Sequence, residues 1–402
     1  MQPEQALILV LNCGSSSIKF AVFAATEPLS KQALHSGKVQ GIGSTKPLLD
    51  EKGAASALVA LDSEHPYRSA LTLIFERVMS RLNGGRLVCV AHRVVHGGSR
   101  YFTPLRLDEK VLADLHRLVP LAPLHQPFAL DAVQILLREQ ADLLQVLCFD
   151  TAFHHHLPKV EQMLALPYEF FERGVRRYGF HGLSYEYMTS VLPERYGDKA
   201  NGRVIVAHLG SGASLCAMQN LQSVATTMGF SALDGLMMGT RPGALDAGVV
   251  LYLLESEKLN VTQVERLLYQ QSGLLGVSGI SPEVRVLLQQ EETSGQARDA
   301  LALYIRRIVR EIGAMVAVLG GLDMLVFTAG VGENSAEIRR RICAQLGFLP
   351  MALDEAANRQ NALLISAQNS RVTVAVEPTN EEWIAARHAW QLYRSLSSPA
   401  CG

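Results

Sequence analysis

A chain of 402 residues, 48% hydrophobic and 19% charged, has a globular composition and exceeds one ordinary hydrophobic core, so two domains are expected. A formal net charge of −1 at pH 7 excludes a global field that would gather nucleic acid or an anionic membrane. The six cysteines (Cys13, Cys89, Cys148, Cys216, Cys343 and Cys401) show no zinc-ligand spacing, and several sit in apolar runs, as free thiols do in a reducing cytoplasm.

The N-terminus has no basic n-region, and its apolar run over 6–11 is shorter than a signal h-region. No uninterrupted stretch of about 18 apolar residues is present. A cytoplasmic protein with small-molecule rather than membrane or nucleic-acid partners is expected. Residues 6–12 predict a buried strand ended by Gly14, and 18–24 a second, joined by the small-residue turn Cys13-Gly14-Ser15-Ser16-Ser17. The stretch 28–66, rich in Ser, Gly and Lys, predicts loops and edge strands. Residues 87–95 predict a strand ending at His96-Gly97-Gly98, 126–140 a helix, and 144–149 a strand ending at Asp150. Residues 203–209 predict a strand that runs into Gly210-Ser211-Gly212-Ala213-Ser214. VAHLGSGASLCAMQ and VLNCGSSSIKFAVF share a strand–turn–strand layout, which reads either as a duplicated domain or as two similar glycine hairpins. Further on, 300–319 predict a long helix, 324–328 a strand ended by a glycine turn over 329–334, 335–346 a helix and 372–376 a strand. Thr379 with Glu382 three residues on reads as a capping box opening a last helix through Arg394. Strands alternating with helices predict α/β layering, with mixed sheets because of the hairpins.

Three glycine turns follow apolar strands directly. The first, Asn12 to Lys19, offers hydroxyls, backbone N–H groups and a positive charge to phosphate, but it is not a P-loop, since it lacks GxxxxGK[ST] and leads into a strand. The second is His208-Leu209-Gly210-Ser211-Gly212, and the third Gly330-Val331-Gly332-Glu333-Asn334, where a nucleotide could meet a helix N-terminus. Each alone also reads as a plain turn; together they point to a nucleotide. Arg93, bracketed by valines, suits a carboxylate or phosphate through its planar fork, and Arg176, Arg177, His181 and Arg241 add further cationic groups. Asp150 ends a buried strand, where carboxylates face the ligand crevice of α/β folds. Glu381 reads equally as a first-turn dipole partner. His154-His155-His156 lacks a partner at ligand spacing, and consecutive side chains diverge, so no metal is expected there.

The segments NCGSSSIKF, HRVVHGG, PLAPLHQP, FDTAFH, RRYGFHGLS, VAHLGSGAS, MMGTR, SGLLGVSG, AGVGENS and PTNEEWIA, in this order over 12–385, resemble the acetate kinase (acetokinase) family. The resemblance implies an α/β fold of two similar actin-like ATPase (ribonuclease H-like) domains, with mixed sheets flanked by helices and an active-site cleft between them. It implies domains at 1–152, with a C-terminal helix 384–402 packing back on the first, and at 153–383. The implied activity is Mg²⁺-dependent (Mn²⁺ as a substitute), reversible, in-line transfer of the ATP γ-phosphoryl group to acetate, giving acetyl phosphate and ADP. The family is homodimeric, so a homodimer is expected.

Residue by residue, the resemblance assigns Asn12 and Glu381 to the metal and Lys19 to ATP. Arg93 and Arg241 go to the carboxyl substrate and the transferring phosphoryl group, Asp150 to the active site, and His181 to the transition state. The loops His208, Leu209, Gly210, Ser211, Gly212 and Gly330, Val331, Gly332, Glu333, Asn334 go to the nucleotide. Glu283, Val284 and Arg285 fall at the adenine triplet. The acyl pocket is assigned to Val95, Leu124, His125, Phe180 and Ala232. Departures from the family pattern are Ser211 for asparagine, Gln126 for asparagine, Ala232 for proline, Asp234 for glutamate, Val284 for an aromatic or methionine, and Ala244 for an acidic residue. Valine at Val95 favours acetate and Ala232 opens room toward propionate, which makes a propionate kinase the near alternative. A non-catalytic actin-like ATP-binding protein and a sugar kinase using Asp150 as base are the rivals of another kind.

Overall fold

The computed structural model describes residues 5–81, 85–123, 125–140 and 142–397. The chain forms two compact units: one from the segments before Phe153 and after Thr379, the other from Phe153–Thr379.

Unit one is built on a mixed sheet of β1 (Ala6–Cys13), β2 (Ser17–Ala24), β3 (His35–Gln40), β4 (Leu48–Glu51), β5 (Ala57–Leu58), β6 (Arg86–Val94), β7 (Leu105–Arg106) and β8 (Leu144–Phe149), in the order β5-β4-β3-β2-β1-β6-β8-β7. β1 is aliphatic from Ala6 to Leu11, as a central strand covered on both faces is. Leu7, Leu9 and Leu11 pack with Ala70, Leu71, Ile74 and Val78 of the helix Pro66–Arg81 and with Ala132 and Leu136 of the helix Gln126–Glu139. Ile8 and Val10 alternate to the other face, and the helix Glu381–Ser397 packs on β1, β6 and β8, burying Trp383, Ile384, Ala385, Ala386 and Ala389. That helix is capped by Asn380, whose Oδ1 accepts from Trp383 N at 3.0 Å. The expected Thr379 cap is therefore corrected by one residue: the Thr379 hydroxyl is already used, 2.9 Å from Ser184 Oγ.

Unit two carries β9 (Arg203–Leu209), β10 (Ala213–Gln219), β11 (Gln222–Thr226), β12 (Met324–Thr328) and β13 (Thr373–Val376), in the order β11-β10-β9-β12-β13. The long helix is Gly295–Leu319, capped by Ser294 and ended at Gly320 with φ 69°. The order matches β3-β2-β1-β6-β8 of unit one strand for strand: two antiparallel pairings, then two parallel ones. The shared strand–turn–strand pattern is thus a repeated fold, with the turns after β1 and β9 in equivalent positions. One expectation changes: 329–334 is not an open glycine turn but the short helix Ala329–Asn334. The fully buried Arg339 holds it by donating through Nη1 to Gly332 O at 2.8 Å and Glu333 O at 2.9 Å.

Among the described residues the five cysteines are free and buried, and no helix is long and apolar enough to cross a membrane.

Candidate active site

Parallel pairing sets the carboxyl ends of β1, β6 and β8 side by side, which places Asn12, Arg93 and Asp150 at one sheet edge. Arg93 Nε donates to both oxygens of Asp150 at 2.9 and 3.1 Å, Nη2 donates to Oδ2 at 2.5 Å, and Nη1 donates to Asn12 Oδ1 at 3.1 Å. Asp150 is 2% exposed. Burial opposes the Arg93 charge, but Asp150 and Glu381 outweigh it, so its pKa is raised. Glu381, first residue of the capped C-terminal helix, is pushed up to about 7 by burial; the Arg93 charge opposes this, while the charges of Asp150 and Glu382 add to it and Lys19 counteracts. Lys19 pairs with Asn12 across the β1–β2 hairpin, with its side chain exposed.

Val95 is buried and leads into a loop fixed by Gln126, whose amide donates to His96 O at 2.9 Å and accepts from His96 N at 3.1 Å. Gln126 in place of asparagine therefore serves as a two-point backbone clamp, itself fully buried. His125 stands just before it, half-buried, and Leu124 lies outside the described residues.

In unit two the turn after β9 is closed by Gly210 N donating to Gly212 O at 3.0 Å. A methyl group on Gly212 would stand 2.8 Å from Arg241 Nη2 and 3.2 Å from His181 Nε2, so both groups abut this glycine. His181, at φ 59°, starts the helix Gly182–Tyr196. Its ring stacks on His208 with centroids 4.1 Å apart and 15° between planes. Arg241 Nη1 donates to Ala232 O at 2.8 Å, and among the described residues Arg241 has no carboxylate partner. Burial pulls its pKa down to about 10. Leu209 and Phe180 are buried; Ala232 and Ser211 are more open, and Ser211 O faces Gly239 N at 3.4 Å.

Gly239 also packs on Pro282, which leads into the triplet: Val284 is buried, while Glu283 and Arg285 are exposed and 3.9 Å apart. Glu333 accepts from Ala329 N at 2.8 Å and Thr379 N at 3.1 Å, and Asn334 Nδ2 donates to Gly330 O at 2.9 Å, so these side chains brace their own loop. Arg177 donates to Thr226 O, Thr227 O and Met228 O and pairs with Asp234 at 3.6 Å; Arg176 lies over Phe171, 4.1 Å from its centroid. Both arginines are thus tied into loop structure. His154, fully engaged by Ser223 Oγ at 2.8 Å and Phe180 O at 3.0 Å, is a buried structural link.

Several site-shaping residues drew no role from the sequence: Ser214 and Tyr185 beside His181, Ser184 beside His208, and the buried Arg339.

The Acetokinase family model matches residues 7–387. An acetate kinase of Rhodopseudomonas palustris strain TIE-1 is 47% identical over 392 residues, 96% of this chain and 98% of the relative. One of Nitrobacter hamburgensis is 46% identical, covering 97% of each. Among solved structures, a propionate kinase from Francisella tularensis matches with TM-score 0.90 and 32% identity, over 96% of this chain and 99% of that one. An acetate kinase from Porphyromonas gingivalis matches with TM-score 0.84 and 34% identity, over the same shares.

Proposed function

The chain belongs to the acetokinase family, and from that premise we propose that it is an acetate kinase, moving the γ-phosphoryl group of ATP reversibly and in line onto acetate. ATP-dependent phosphoryl transfer is the chemistry of that family. The observation that carries the residue roles is Arg241: a half-buried, desolvated guanidinium with no carboxylate partner among the described residues, against Gly212 beside His181 Nε2. A desolvated cation in that state calls for an anion, and the turn after a β-strand offers N–H groups to phosphate.

Arg241 and His181 stabilise charge on the transferring phosphoryl oxygens. Arg93 binds the acceptor carboxylate: Asp150 and Asn12 engage three of its five N–H groups, leaving two for an anion. The acceptor needs no general base, because a free carboxyl group with a pKa near ~4 is ionised at pH 7. Both oxygens of Asp150 are occupied by Arg93, which favours an orienting role over the base a sugar kinase needs. The nucleotide meets Lys19, His208–Gly212, Gly330–Asn334 and Glu283–Arg285.

Asn12 and Glu381 would hold a divalent cation. The Glu381 carboxyl, burdened by burial and neighbouring negative charge, fits such an ion, and an all-oxygen donor set suits Mg²⁺ or Mn²⁺. Bound there, the ion supplies neutralisation of phosphate charge.

Buried Val95 favours acetate, and Ala232 admits propionate as a slower substrate, one methylene being worth about 1–3 kcal/mol. Hydroxamate trapping with ATP and either acid tests this. Acetyl hydroxamate in excess of the propionyl product is expected, and no acyl phosphate from either acid overturns the reading.

A homodimer is also proposed. The helix Ala247–Glu255 buries none of its residues and exposes Val249, Leu251 and Tyr252, with Leu245 exposed just before it. Buried free thiols support a cytoplasmic setting.

A further inference from the structure

His181 and His208 are held in the same way. Ser214 Oγ lies 2.8 Å from His181 Nδ1 and 2.5 Å from the Tyr185 hydroxyl. Ser184 Oγ lies 2.9 Å from His208 Nδ1 and accepts from the Thr379 hydroxyl at 2.9 Å. Each Nδ1 therefore meets a serine that is itself met by a second hydroxyl. Each Nε2 points at the glycine turn: a methyl group on Gly212 would lie 3.2 Å from His181 Nε2, and one on Gly210 3.7 Å from His208 Nε2.

We propose that Ser214, backed by Tyr185, is a positioning residue that fixes His181 as the Nε2–H tautomer, so that its ring donates toward the glycine turn; this rests on the phosphoryl-transfer reading above. The direction of the chain follows from hydroxyl chemistry. A phenol is a stronger donor than an alkyl alcohol, so the Tyr185 hydroxyl donates to Ser214 Oγ. The serine proton then goes to Nδ1, the acceptor nitrogen, and the ring proton is left on Nε2. The reverse order would put the proton on Nδ1 and aim a lone pair at phosphate oxygens that need a donor. Thr379, Ser184 and His208 repeat the arrangement, with the threonine donating to the serine. Two rings stacked 4.1 Å apart also disfavour a charge on both at once. Ser214 and Ser184 are fully buried, so water does not compete for either Nδ1.

The test is Ser214→Ala, with Tyr185→Phe as a second variant that keeps the serine. Removing a direct transition-state donor costs about 10²–10³ in kcat, and loss of positioning is expected below that, about 10- to 100-fold in kcat with little change in KM for ATP or acetate. The ring ¹⁵N shifts of His181, assigned by difference against His181→Gln, are the readout that a merely structural role leaves unmoved. Wild type is expected to show an unprotonated Nδ1, and Ser214→Ala a mixture of tautomers. Tyr185→Phe is expected to act in the same direction, more weakly. An Nδ1-protonated ring in the wild type, or Ser214→Ala with unchanged tautomer and kcat, overturns the proposal. If wild type forms no acyl phosphate, the functional reading fails, while the ¹⁵N spectrum still decides the hydrogen-bond direction.

Discussion

Arg93 grips Asp150 side-on, Nε and Nη2 meeting both carboxylate oxygens at 2.5 to 3.1 Å, and Asn12 takes the remaining terminal nitrogen. The guanidinium is thus locked in plane at the end of β6 before any ligand arrives. Asp150→Ala leaves that cation partly buried without its partner, and a loss of about 3–5 kcal/mol is expected. Arg93→Lys keeps the charge but loses the fork, so it is expected to spare most of the stability and to impair turnover. Urea midpoints and acetyl hydroxamate rates separate the two effects; a Lys variant with wild-type turnover removes Arg93 from the carboxylate role.

Gly212 is the point where two cationic or donor groups converge. In Gly212→Ala the new methyl stands 2.8 Å from Arg241 Nη2 and 3.2 Å from His181 Nε2, ends of side chains that can shift. The fold is expected to survive and the groups to move by less than an ångström, a displacement that costs up to about 10²-fold in rate. Unchanged kcat in a folded Gly212→Ala protein contradicts this arrangement.

The strands that carry the site were legible because each is an aliphatic run stopped by glycine or by a polar residue, as at Asn12-x-Gly14 and Leu209-Gly210. Their repeated topology was visible only as an ambiguous likeness, since hairpins of this composition recur for local reasons. The bonds that tune the site were not legible. Ser214 and Tyr185 are 29 positions apart, on a strand and a helix, and neither residue type signals the other. At 329–334, glycine-rich sequence argued for a turn, yet Arg339, anchored on Asn358, and Glu333, which accepts from Thr379 N, supply tertiary ties that outweigh low helix propensity. Thr379 and Asn380 are both good caps; the choice of Asn380 followed from Ser184, far away in sequence.

Arg241→Ala removes the half-buried cation from beside Gly212. By analogy with charge supplied to a transferring phosphoryl group, a rate loss on the order of 10³–10⁵ is expected. Because Arg241 has no carboxylate partner among the described residues and desolvation already disfavours its charge, its removal leaves no orphaned carboxylate, and stability is expected to fall little. Wild-type turnover after the substitution overturns the assigned role.

The exposed helix Ala247–Glu255 presents Leu251 at 56% and Tyr252 at 54% exposure. Changing both to Glu places two like charges in the face proposed to join two copies. Sedimentation at several concentrations is expected to shift from dimer to monomer with the fold retained. A variant that stays dimeric moves the interface elsewhere.

Stability is expected to fall on mild acidification, because three buried histidines outweigh Glu381, whose raised pKa works in the opposite direction below about pH 7. His92, His96 and His154 are each pulled down to about 4, chiefly by burial. In the unfolded chain each titrates near ~6.5. Between those values the unfolded state binds more protons, so stability is complete above about pH 6.5 and declines toward pH 4, with a slope approaching ~1.4 kcal/mol per pH unit for each group. Glu337, held down to about 2 by Arg340 and Arg341, acts only in a lower window, below its usual carboxylate range. Urea midpoints at pH 7.5, 6.5, 5.5 and 5.0 are the measurement. His92→Asn, which removes a ring 2.8 Å from Gln145 Oε1, is expected to flatten the slope whatever it does to absolute stability. Parallel curves for wild type and variant between pH 7.5 and 5.0 rule His92 out as a source of the acid sensitivity.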